Sequence, residues 1–96
     1  MEPQDLLEEL LHAARRLGVE VRTETFETPA AMGGGLCIVR GASLVLIDQR
    51  APLADRLRAL ARALGDLGSD RVYMAPEARE LVESSRAVGA PREATP

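Results

Sequence analysis

Two short apolar runs, "LCIV" (residues 36–39) and "LVLI" (residues 44–47), are separated only by "RGAS". The spacing predicts a hairpin, and neither run alternates apolar with polar. Successive side chains of a strand point to opposite faces. Leu36 and Ile38 therefore point one way and Cys37 and Val39 the other, while Leu44 and Leu46 oppose Val45 and Ile47. A hairpin with one wet face alternates; this one has two dry faces, so it needs two covers. Gly41, followed by Ala42, offers the positive φ of a two-residue type II′ turn. That turn would set Val39 opposite Leu44 and Cys37 opposite Leu46.

The rest of the chain must supply the covers. At 96 residues it is one domain, able to bury about two-thirds of the surface its unfolded form exposes. "PQDLLEELLHAARRLG" reads as an amphipathic helix, with Leu6, Leu7, Leu10, Leu11, Ala14 and Leu17 at three- and four-residue intervals. Pro3 suits its first turn, Arg15 and Arg16 suit its dipole, and Gly18 suits its end. "VEVRTETF" alternates Val19, Val21, Thr23 and Thr25 with Glu20, Arg22 and Glu24, the pattern of a half-exposed strand whose charges guard it against sticking. A loop, "ETPAAMGGG", leads to the hairpin.

"APLADRLRALARALGDLG" is the second helix, with Pro52 at its first position, Leu53, Leu57, Leu60, Ala61 and Leu64 inward, and Gly65 or Gly68 at its end. "RVYM" fits a short edge strand or an extended link. "APEARELVESSRAVG" is a third helix opened by Pro76. The expected fold class is α+β, a small antiparallel sheet of three to four strands packed against two to three helices. The order is α-β-β-β-α-(β)-α, with a single domain over residues 1–88 and a disordered tail over 89–96. The two long helices cover one sheet face. The last helix, through Ala78, Leu81 and Val82, covers part of the other, or a second chain must.

Charge and composition narrow the function. Twelve basic against fifteen acidic residues leave a net charge of −3, opposite to the positive surface that nucleic acid requires. Phe26 and Tyr73 are the only aromatic residues, too few for a base-stacking platform. Every basic residue is arginine, which removes a Schiff-base or P-loop lysine. No apolar run approaches the ~20 residues of a membrane span. The acidic start "MEPQDLLEELL" lacks the basic region of a signal peptide, so a cytoplasmic location is expected.

The candidate sites each have a structural reading beside the chemical one. Gly33, Gly34 and Gly35 precede a strand rather than the helix that a phosphate-cradling loop requires. They let the chain turn or another backbone come close, or they form an edge that pairs with a partner's strand. Cys37 is the only cysteine. A catalytic thiol needs a base, and the only histidine, His12, falls on the outer face of the first helix. Inside an apolar strand cysteine behaves as a small hydrophobe. One His and one Cys far apart do not make a zinc site, and Asp48, Asp55, Asp66 and Asp70 are scattered, so no metal and no cofactor is expected. Glu8, Glu9, Glu80 and Glu83 read as outward helix positions. Arg58 and Arg62 lie one turn apart, with Asp55 and Asp66 within reach.

At "GGGLCIVRG", followed by an apolar strand, a Leu/Ala helix and "VYMAPEARELVE", the chain resembles a group of short bacterial proteins of unknown function. These carry Gly-Gly-x-Cys-x-Val-x-Gly and a Tyr-x-x-Pro segment leading into an Arg-Glu-Leu helix. The matching positions are Gly34, Gly35, Cys37, Val39, Gly41, Tyr73, Pro76, Arg79, Glu80 and Leu81. The resemblance spans residues 33–83 and implies no activity. A second, fainter likeness is to the minimal scaffold of zinc-dependent peptidases, in which the second helix carries His-Glu-x-x-His. Here that helix reads "LRALARALG", so the likeness implies a fold without the metal or its chemistry.

These observations favour a non-enzymatic protein–protein interaction or adaptor domain with a protein partner or a second copy of itself, forming a homodimer. Its expected interaction residues are Gly33, Gly34, Gly35, Leu36, Cys37, Val39, Val45, Ile47 and Tyr73. The alternative is a small enzyme or thiol-based sensor centred on Cys37.

Overall fold

The computed structural model describes residues 1–25 and 34–89, with side chains through residue 85. The chain is α+β, with three helices and a three-stranded sheet: α1 (Pro3–Arg16), β1 (Glu20–Glu24), β2 (Gly34–Val39), β3 (Ala42–Asp48), α2 (Leu53–Leu67) and α3 (Pro76–Gly89). Gly33 and residues 90–96, most of the expected tail, lie outside the described residues.

The strand order is β1-β3-β2, with β3 in the centre. β2 runs antiparallel to β3 and β1 runs parallel to it, so the sheet is mixed rather than mainly antiparallel. Apolar demand explains the placement. "LVLI" is dry on both faces and gains most from a neighbour on each side, whereas the charged face of β1 tolerates an edge.

The hairpin turn also differs from the sequence expectation. Its two central residues are Arg40 (φ 52°) and Gly41 (φ 82°), the double positive φ of a type I′ turn, whose twist matches that of the strands. Val39 therefore pairs with Ala42 and Cys37 with Leu44, not Leu44 and Leu46. The slip is two residues, which preserves the face of every side chain. Gly34 and Gly35 belong to β2, while the rest of the expected loop, residues 27–33, lies outside the described residues. Gly34 holds φ 140°, and a Cβ there would collide with the Leu46 carbonyl oxygen, so the close-approach reading holds at this position.

One sheet face carries the core. Val45 is fully buried and Ile47 is 3% exposed, beneath Leu7, Leu10, Ala13 and Ala14 of α1 and Leu57, Leu60, Ala61 and Leu64 of α2. Val21 and Leu36 pack against the rim of this cluster. Pro52 is the residue before α2 rather than its first position, and Gly68 (φ 80°) ends that helix while Gly65 is buried within it. Burial of this apolar area at about 25 cal/mol per Å² is the main favourable term in the fold.

α3 does not cover the second sheet face. It packs chiefly on α2, with a lesser contact to α1, and Ala78 and Val82 are fully buried in the same core. Polar contacts fix it there. The Ala75 N–H donates to Glu9 Oε2 at 2.7 Å, so a carboxylate of α1 satisfies a backbone donor at the start of α3. Arg79 donates to the carbonyls of Ser69 (3.1 Å) and Val72 (2.6 Å), and Arg16 to that of Tyr73 (2.9 Å). Those carbonyls are bonded to guanidinium groups rather than to a sheet ladder, so residues 71–74 form a tethered link and not the fourth strand.

Candidate interaction surface

The register divides the sheet into two faces. Toward the helices point Val21, Thr23, Val45, Ile47 and Leu36; away from them point Glu20, Arg22, Leu44, Leu46, Cys37 and Val39. None of the three helices lies on the second face. Leu44, Leu46 and Cys37 are half-buried there, and Val39 is 48% exposed. The apolar strip therefore lies over β3 and β2, and the charged strip lies over β1, where Arg22 bridges Glu20 at 3.8 Å and Glu24 at 3.1 Å.

This geometry sorts the interaction residues expected from sequence. Cys37 and Val39 stand on the uncovered face. Val45 and Ile47 do not: both are in the core, because the helix layer covers the face that the odd-numbered positions of β3 occupy. Leu36 points the same way and is half-buried against the helices. Gly34 and Gly35 lie on the outer edge of β2, which has no strand partner among the described residues. Tyr73 is 72% exposed but belongs to the link beside α1, not to the sheet.

One exposed residue was missed. Ile38 points to the helix side but is 63% exposed; it pairs with Ser43 near the hairpin turn. Its signal was present in the sequence, since a residue two positions before a tight turn sits where the covering layer gives out. Glu9 was also misread as outward, because its target, the Ala75 N–H, is 66 residues away.

Among the described residues, depressions lie beside the sheet. A cleft of about 440 Å³ is lined by Leu17, Gly18, Val19, Glu20, Ser43 and Arg71, among others. It contains a hydroxyl, a carboxylate and a guanidinium but no histidine or thiol to activate a nucleophile. A smaller groove of about 90 Å³ separates β2 from α2, lined by Gly34, Gly35 and Leu36 on the strand and by Arg58, Arg62 and Asp66 on the helix. Arg58 is paired with Asp55 at 3.2 Å, as the helical spacing predicts. Among the described residues no three His, Cys, Asp or Glu side chains converge as a metal site, and no helix is long and apolar enough to cross a membrane.

His12 is exposed on α1, and the sheet separates that helix from the face that bears Cys37. Comparison of the chain with family models, with curated proteins and with solved structures gave no match. The surface must be read from its own chemistry.

Proposed function

We infer that this protein is a non-enzymatic interaction domain that docks a protein partner, or a second copy of itself, through the outer face and free edge of the β2–β3 hairpin. One observation carries the reading: an antiparallel strand pair whose helix-free face presents Leu44, Leu46, Cys37 and Val39 rather than polar side chains. Water against such a surface is unfavourable, and contiguous exposed apolar area on a small domain marks an interaction site. The net charge of −3 directs the reading to protein rather than nucleic acid, and a cytoplasmic setting goes with it.

The test is substitution of the face without disturbing the core. Leu44→Lys should leave the circular dichroism spectrum native and abolish recovery of a partner by pull-down from the host. A wild-type chain that is strictly monomeric at micromolar concentration and recovers no partner would overturn the reading.

The half-buried thiol on the same face supports a second reading, a sensor or small enzyme centred on Cys37. Rapid alkylation of the native protein by iodoacetamide, with loss of function in Cys37→Ser, would support it. Slow alkylation with function retained would dismiss it.

A further inference from the structure

We propose that the free edge of β2 pairs antiparallel with β2 of a second copy, about a two-fold axis perpendicular to the sheet, so that two three-stranded sheets become one of six strands. The proposal rests on the interaction reading above and names its partner.

The two edges of the sheet differ in the way that matters for pairing. β1 presents Glu20, Arg22 and Glu24, charges that blunt an edge. β2, "GGLCIV", has neither a charge nor a proline over six residues, and it is an edge with no further strand partner among the described residues, so another strand can complete its row of outward N–H and C=O groups. An antiparallel pair of identical strands is self-complementary, which is the requirement of a closed two-fold interface.

Directly opposed residues of an antiparallel pair share a face, so the two-fold must pass a residue that meets its own copy. With Leu36 on the axis, Ile38, the most exposed aliphatic side chain of the hairpin, falls opposite Gly34 of the partner subunit. That glycine has no side chain to obstruct it. The apolar strips of the two copies also merge into one face of double width.

The layer beneath the junction is complementary as well. A strand pair of this length falls short of the ~800 Å² per partner of a standard interface, so the flanking helices must contribute. α2 leaves β3 by a short turn and runs back alongside it, hence in the direction of β2. The same two-fold therefore places α2 antiparallel to its copy. The stripe that lines the β2 groove reads Arg58, Arg62, Asp66 at successive turns. Antiparallel placement sets the basic end of each stripe against the acidic end of the other. Parallel placement would oppose like charges.

Native mass spectrometry and sedimentation equilibrium of the full chain test the arrangement. The wild type should be a dimer. Ile38→Lys, Arg58→Asp and Asp66→Arg should each raise its dissociation constant at least about tenfold while the circular dichroism spectrum stays native. The double variant Arg58→Asp/Asp66→Arg, which exchanges the ends of the stripe, should recover the dimer.

A monomeric wild type overturns the proposal; if its partner capture is still lost in Leu44→Lys, the interaction reading survives alone. A dimer that is indifferent to Ile38→Lys and is broken by Leu44→Lys also overturns it, in favour of face-to-face stacking. Failure of the double variant to recover, with both single variants impaired, overturns the helix register on which the arrangement depends.

Discussion

The helix side of the sheet presents Val21, Val45, Ile47 and Leu36; the outer side presents Leu44, Leu46, Cys37 and Val39. In hydrophobicity the two sets are close. On the first, two of four side chains are almost wholly removed from water beneath α1 and α2, whereas on the second none is covered by a helix. Apolar character thus marks a surface that requires a cover without saying where the cover comes from. In this chain one cover is intramolecular. The other face has the chemistry of a core yet is only half-buried at Leu44, Leu46 and Cys37 and exposed at Val39, and that mismatch is the basis of the interaction reading.

The contrast can be tested by comparing equal changes on the two sides. The largest effect belongs to the covered side. Leu60 is fully buried on α2 against the sheet, and Leu60→Ala should cost about 3 kcal/mol through lost transfer energy and the cavity left behind. Chemical denaturation should show this as a lower midpoint with an unchanged slope. A loss below about 1 kcal/mol would mean that the helix layer repacks freely and that the covered face is less distinct than described.

An intermediate effect is expected at Gly34, where the β3 backbone occupies the place a Cβ would take. Gly34→Ala combines an unfavourable φ with a collision against the Leu46 carbonyl and should cost about 2 kcal/mol. Amide exchange should rise along β2 and β3 while α1 and α2 keep most of their protection. A neutral substitution there would remove the close-approach reading of the glycine run.

The smallest effect belongs to the bare side. Val39 is half-exposed at the edge, and Val39→Thr should change the stability of the monomer by less than about 0.5 kcal/mol, measured at a concentration too low for association. A loss as large as that of Leu60→Ala would show that Val39 is covered within the single chain, and the contrast between the faces would disappear.

Much of the fold was readable from local pattern. The three helices, the charged strand, the two apolar strands and the alternation of faces along the hairpin all follow from periodicity. Periodicity is a property of a few adjacent residues. The turn type was misplaced by one residue, because Arg40 adopts a positive φ that glycine or asparagine would ordinarily supply. The slip of two residues did no harm to the facing of side chains. Arg58 and Asp55 were likewise legible, since they lie on one helix at a fixed spacing.

What the chain's own pattern decided, then, is which surfaces are apolar: helix stripes at three- and four-residue intervals, and a hairpin dry on both faces. Which of those surfaces meet was decided only in three dimensions. β3 took the centre of the sheet, burying Val45 and Ile47, which the sequence had suggested as interaction residues. α3 joined the helices instead of the open face, held by Glu9 at the Ala75 amide and by Arg79 at the carbonyls of Ser69 and Val72. The physical reason is range. Backbone periodicity acts over one or two turns, whereas the choice between two equally apolar faces depends on long-range contacts and on polar groups far apart in the chain, whose pairing no local pattern records.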